Sequence, residues 1–178
     1  MMHVAGFVGS SGSGKTTLIE ALLGEFALRG LRASVIKHAH HGFELDRQGK
    51  DSWRHRKAGA FEVLVASPHL LALQRETRQA REYALAELLP LLQAVDWVLV
   101  EGFRGAPIPK IEVWRQATGK PLLLGDDPRL LAVACDGTAA PGLGGAAQRL
   151  DLGQPARIAD WMLSQSRRFV YADEPSLE

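Results

Sequence analysis

Cysteine is all but absent from this sequence: Cys135 is the one thiol in 178 residues. A lone thiol excludes an internal disulfide and any cysteine-built zinc cage. A surplus of charge is missing too, because 21 Lys and Arg face 20 Asp and Glu. Proteins organised around nucleic acid carry a strong local excess of basic residues, so this balance argues against a nucleic-acid partner. Long apolar runs are also lacking. Trp97 to Val100 is typical of those present, and a membrane span needs about 20 residues. Met1-Met2-His3-Val4 leads straight into a short apolar stretch, with no basic region ahead of a long hydrophobic one, so no secretory signal is expected. No internal repeat is visible. What remains, 46% hydrophobic and 23% charged residues, is the composition of an ordinary globular protein. Its length suits one well-buried domain, expected over residues 1–170, followed by an acidic tail, 171–178, expected to be disordered. The expected setting is the cytoplasm, free of any membrane.

Short apolar strands alternate with amphipathic helices, the pattern of a mainly parallel sheet flanked by helices in the α/β class. His3 to Val8 reads as a first strand. Leu18, Ile19, Leu22, Leu23 and Phe26 recur at the spacing of one buried helical stripe, and Gly30 is placed to end that helix. Arg32 to Lys37 reads as a second strand, with Ala33, Val35 and Ile36 for the core. A short helix is expected from Asp51 to Lys57, then two strands turning at Pro68. Leu85 to Leu92 marks another helix interrupted by Pro90, and Trp97 to Glu101 a buried strand. Pro107, Pro109 and Pro121 around Ile111 to Trp114 suggest a β-hairpin excursion within residues 104–124. The stretch from Pro107 to Trp114, with Ile111, Val113 and an exposed-looking Trp114 poorly covered on a small monomer, is either the candidate dimer contact or an ordinary edge hairpin packed on its own sheet. Leu130 to Cys135 is a further strand, and a last helix is expected from about Pro155 to Gln165.

Between the first strand and first helix lies Gly9-Ser10-Ser11-Gly12-Ser13-Gly14-Lys15-Thr16. Two glycines flanking four residues, then Lys and Ser or Thr, form the phosphate-binding P-loop pattern. Gly12 and Gly14 let the backbone turn tightly and approach phosphates that a Cβ would obstruct. Successive amides then line an anion-binding concavity that opens on the N-terminus of a helix, whose free donors favour negative charge. Lys15 is expected to reach the β- and γ-phosphates, and the Thr16 hydroxyl to ligate Mg²⁺. A metal-side acid belongs at the end of a buried strand, and Glu101 stands there, followed by Gly102.

Other groups leave alternatives open. His38, His40 and His41 suit a metal, a nucleotide contact or a polar loop. Asp46 and Asp51 lie where many P-loop proteins position water, and Asp51 is also a plausible helix cap. Arg54, Arg56 and Lys57 are equally a phosphate clamp or a solvated face. Asp136 could accept hydrogen bonds from guanine N1 and its 2-amino group, or merely form a turn before Gly137. The Asn-Lys-x-Asp guanine motif is missing, so these residues leave base choice open.

Gly12 to Leu18, Ile36-Lys37-His38-Ala39-His40-His41, Gly49-Lys50-Asp51-Ser52, Ala58-Gly59-Ala60 and Val100-Glu101-Gly102-Phe103 stand in an order and spacing that resemble the molybdopterin-guanine dinucleotide biosynthesis protein B family, MobB. The resemblance covers residues 3 to 136. It implies a P-loop α/β fold, a GTP-binding accessory protein with weak Mg²⁺-dependent GTPase activity, a homodimer, and a partnership with the guanylyltransferase that makes the dinucleotide form of the molybdenum cofactor. Carried onto this chain, it implies a nucleotide site of Ser13, Gly14, Lys15, Thr16 and Thr17, with Asp51 and Glu101 near the metal. Rival readings are a small-molecule kinase using Asp51 as base and Arg54 or Arg56 to hold the acceptor, a pure adapter, and a metallochaperone built on the histidines. The long arginine-bearing lid of a kinase is not evident. Ser10 occupies the position where certain ParA-like NTPases carry an activating lysine.

Overall fold

The structure is a computed structural model and describes residues 2–39, 42–77, 79–137 and 147–171. It contains two compact units, one drawn from Met1–His38 and Ala84–Glu178, the other from Ala39–Tyr83.

The larger unit is built on a six-stranded sheet. Its strands are β1 (His3–Val8), β2 (Ala33–Lys37), β5 (Trp97–Glu101), β6 (Lys110–Arg115), β7 (Leu130–Asp136) and β8 (Gln148–Asp151), in the order β2-β5-β1-β6-β7-β8. Every adjacent pair is parallel. Parallel sheets are buried on both faces, which is why β5 and β7 read as unbroken apolar runs. Alternate residues feed opposite layers. Ala5, Phe7, Leu99, Ile111, Val113 and Ala134 pack under α1 (Lys15–Leu28) and α4 (Pro155–Ser164). Val4, Val98 and Val100 meet Leu85 and Leu89 on the other face, from the short helix α3 (Leu85–Leu88) and the 3₁₀ turn Leu89–Leu91. Pro90 limits that helix to a single α-turn, as its missing N–H requires.

Helix α1 buries Leu18, Ile19, Leu22 and Phe26. Complete burial of a side chain such as Phe26 contributes about 1.5–3 kcal/mol. Its end is a Schellman motif: the Leu31 amide donates to the Phe26 carbonyl and the Gly30 amide to that of Ala27, both at 3.0 Å, with Gly30 at φ 71°. Val35, expected in the core, is exposed, because β2 is the edge strand and only Ile36 of the pair faces a covered layer.

The expected hairpin within 104–124 does not form. Its centre is the single strand β6, paired in parallel with β1 and β7. Ile111, Val113 and Trp114 are consequently buried, so they offer no dimer contact. The misreading has a physical cause. Lys110 and Glu112 are polar yet buried, satisfied by the proline-bounded segments on either side. Lys110 donates from Nζ to the carbonyls of Ala106 (2.6 Å) and Ile108 (3.0 Å). Glu112 accepts from the amides of Leu123 (2.6 Å) and Leu124 (3.0 Å).

The smaller unit holds α2 (Asp51–Lys57) and the antiparallel strands β3 (Glu62–Ala66) and β4 (Leu71–Arg75), which turn through Pro68 as expected. Arg56 is mostly buried and pairs with Glu76 (2.6 Å) and Glu44 (3.9 Å). Leu64 lies opposite Leu73, and Ala66 opposite Leu71, so these side chains share one exposed face. Among the described residues no helix is long and apolar enough to cross a membrane. The expected tail lies outside the described residues from position 172 onward.

Burial lowers the Lys110 pKa to about 8, helped by Arg129 and opposed by Asp127. An unfolded chain keeps this proton up to about pH 10.5, so between pH 8 and 10.5 it binds more protons than the folded protein, and stability rises with pH. Urea denaturation should show that Lys110→Met removes a slope of up to ~1.4 kcal/mol per pH unit in this window. A wild-type-to-variant difference independent of pH would contradict it.

Candidate functional site

Because the sheet is parallel, the carboxyl ends of β1, β2, β5, β6 and β7 lie along one edge, where open α/β sheets place their ligands. β1 is central, and its chain leaves at Gly9. There φ is +148°, and a Cβ would stand 2.3 Å from the Val113 carbonyl oxygen. The loop therefore departs in contact with β6, a path only glycine can take. Gly12 and Gly14 follow at φ 81° and 95°. Gly14 is the N-cap of α1, without a side-chain cap and with no acidic residue in the first turn. The first-turn amides thus have no intrahelical partner and no competing carboxylate, the condition for holding an anion.

Lys15 curls back over the loop, donating to the carbonyls of Gly9 (2.9 Å) and Ser10 (3.0 Å). Desolvation lowers its pKa, nearby Glu101 opposes this, and Lys37 adds to it. Thr16, at the first turn of α1, donates from Oγ1 to both carboxylate oxygens of Glu101, at 3.1 and 3.3 Å. Glu101 closes β5 and is paired in register with Lys37 of β2 and Phe7 of β1. The Lys37 ammonium lies 3.4 Å from Glu101 Oε1. Ser13 is fully buried, and its Oγ has no hydrogen-bond partner. These groups fit a magnesium polyphosphate: an unanswered donor in the loop, an ammonium resting on backbone oxygens, and a hydroxyl beside a carboxylate.

Two features escaped the sequence reading. Arg115, the last residue of β6, donates from Nε to the Ser13 carbonyl at 3.1 Å and crowds the position a Gly14 Cβ would take. Only the sheet order reveals that contact. Phe103 has φ 49°, the one positive value outside glycine among the described residues. It follows Gly102 directly after Glu101 and packs against His38 in a tilted ring pair with centroids 4.7 Å apart. Such strain costs about 1–3 kcal/mol and tends to gather where a site over-determines the backbone.

Other expected residues take other places. Asp136 ends β7, accepts from the Gln116 amide at 2.9 Å and lies 3.7 Å from Arg115. Asp51 belongs to the smaller unit, where it opens α2, exposed and 3.9 Å from Arg54. Asp46 in that unit accepts from the Ser52 hydroxyl at 2.9 Å. His40 and His41 lie outside the described residues.

The profile described as molybdopterin guanine dinucleotide synthesis protein B matches residues 4–136. The chain belongs to that family, MobB. Among relatives, the molybdopterin-guanine dinucleotide biosynthesis adapter protein of Escherichia coli is 40% identical over 139 residues, 76% of this chain and 79% of the relative. Its namesake from Haemophilus influenzae is 46% identical over 119 residues, 66% of each chain, slightly less than two thirds of the relative's length. The crystal structure of Bacillus subtilis MobB superposes with a TM-score of 0.73 at 28% identity, covering 92% of this chain and 98% of that one. The six-stranded α/β architecture is thus the MobB fold.

Steric demands differ sharply along the loop. A Cβ at Gly12 would meet nothing within 4 Å, so Gly12→Ala should cost only the left-handed backbone penalty, about 1–2 kcal/mol. Gly9→Ala should cost at least about 3 kcal/mol through its clash with the Val113 carbonyl. Chemical denaturation of both variants measures the difference, and equal costs would refute the described path of the loop.

Proposed function

We propose that this protein is a GTP-binding adapter in molybdopterin guanine dinucleotide biosynthesis, turning over GTP slowly with Mg²⁺ and serving the guanylyltransferase of that route in the cytoplasm. The observation that carries the reading is the Lys15, Thr16 and Glu101 constellation around an uncapped helix N-terminus, in a chain whose relatives are named as adapter proteins of this biosynthesis.

The amides from Gly9 to Thr17 receive the phosphates. Lys15 exchanges the carbonyls of Gly9 and Ser10 for β- and γ-phosphate oxygens, and the Ser13 hydroxyl gains an acceptor it lacks within the protein. Thr16, with Glu101 beside it, would hold Mg²⁺, which when bound would supply charge neutralisation to the phosphates. Asp136 is the proposed guanine reader. The chain contains no asparagine, so the usual Asn-Lys-x-Asp reader cannot be present anywhere in it. A P-loop to which no arginine finger is supplied lacks a contribution of about 10³ to 10⁵ in rate, and slow turnover suits an adapter. The kinase reading finds little support. Its proposed acceptor clamp, Arg56, is already held by Glu76 and Glu44, and Arg54 faces Asp51.

The exposed apolar face carrying Leu64, Leu71 and Leu73 is the proposed homodimer surface. A two-stranded ribbon with an uncovered face is marginal alone.

Calorimetric titration with GTP, GDP and ATP in Mg²⁺ tests the site. Lys15→Ala should weaken GTP binding by at least about 100-fold, and Thr16→Ala should remove the benefit of Mg²⁺; a preference for ATP with rapid transfer to a metabolite would overturn the reading. Light scattering tests the assembly, with Leu64→Asp combined with Leu73→Asp expected to give monomers. A dimer that survives both changes would place the contact elsewhere.

A further inference from the structure

Glu101 Oε1 serves two donors at once. The Thr16 hydroxyl lies 3.1 Å from it and the Lys37 ammonium 3.4 Å. On the nucleotide reading Thr16 would hold the metal at the terminal phosphates, which would put Lys37 beside the far end of the polyphosphate. Lys15 holds the loop side, over Gly9 and Ser10. The Lys37 backbone is fixed by its parallel register with Glu101, while its side chain is 58% exposed and free to swing on its four-carbon stem. The loop itself offers backbone amides, the Ser13 and Thr16 hydroxyls and the single ammonium of Lys15, and Ser10 brings no second lysine to it.

We propose that Lys37 contacts the γ-phosphate and is the residue by which the site distinguishes a nucleoside triphosphate from a diphosphate. The inference rests on the nucleotide reading above and assigns a function within it to a side chain that the P-loop pattern does not contain. Without nucleotide, Glu101 neutralises Lys37. When Glu101 turns to the metal side with Thr16, it gives up that pairing, and Lys37 takes the terminal phosphate as its counter-charge. A diphosphate leaves nothing at that position, so Lys37 stays on Glu101. An ammonium acts here as a compact point charge, suited to sensing a phosphate rather than to clamping it in two-point geometry.

The test uses the full chain as wild type, Lys37→Ala and Lys37→Arg. Each is titrated with GDP and with a non-hydrolysable β,γ-imido GTP analogue in Mg²⁺. Lys37→Ala should weaken the triphosphate analogue about 10- to 100-fold, the range of one charge-assisted contact, and GDP less than about 3-fold; Lys37→Arg should restore most of the preference. Unchanged melting without nucleotide shows that the variants fold, as expected for an exposed side chain. Equal losses for both nucleotides, or no loss for either, would overturn the role of Lys37. Wild-type protein that binds neither nucleotide would overturn the underlying reading instead, and that failure is seen before any variant is examined.

Discussion

Everything at the site depends on the parallel register that holds β1 between β5 and β6. Phe7 is level with Glu101 on one side, and Val8 with Glu112 on the other. The chain must then leave β1 against the Val113 carbonyl. Once that path is fixed, the loop amides gather at the start of α1, Thr16 comes to the Glu101 carboxylate, and Arg115 reaches the Ser13 carbonyl. None of these contacts is local in sequence. Each follows from the order of strands.

Charge is managed by pairing. Lys15 rests on two backbone oxygens, Lys37 on Glu101, and Arg115 on the Ser13 carbonyl beside Asp136. Lys15, Lys37 and Arg115 each therefore have a partner inside the protein. Lys37 and Arg115 hold their carboxylate partners with side chains 58% and 40% exposed, and ion pairs with so exposed a cation contribute little to stability. The proposed ligand chemistry uses residues that are already close together, and the fold need only release them.

The loop was legible because its signal is contiguous: within eight residues, Gly9 to Thr16, the glycines answer to backbone geometry and Lys15 and Thr16 to phosphate and metal chemistry. Glu101 was legible for a related reason, since a carboxylate after four apolar residues stands out at a strand end. The parallel sheet followed from alternation of apolar strands with amphipathic helices. Strand β6 did not. Its buried Lys110 and Glu112 imitate the polar face of an exposed hairpin, and their backbone partners 106–108 and 123–124 cannot be inferred from periodicity. Val35 misled for the converse reason, because an apolar residue on an edge strand looks like core until the strand order is known. Arg115 and the strained Phe103 were invisible, since a contact across the sheet and a backbone angle leave no mark in composition or spacing.

The most direct measurement is a crystal structure of the protein with Mg²⁺ and a non-hydrolysable GTP analogue. It should show phosphate oxygens on the amides from Gly9 to Thr17, Lys15 moved from the Gly9 and Ser10 carbonyls to the β- and γ-phosphates, and Thr16 on the metal with Glu101 beside it. A loop still closed on Lys15, with the nucleotide absent or bound elsewhere, would contradict the account.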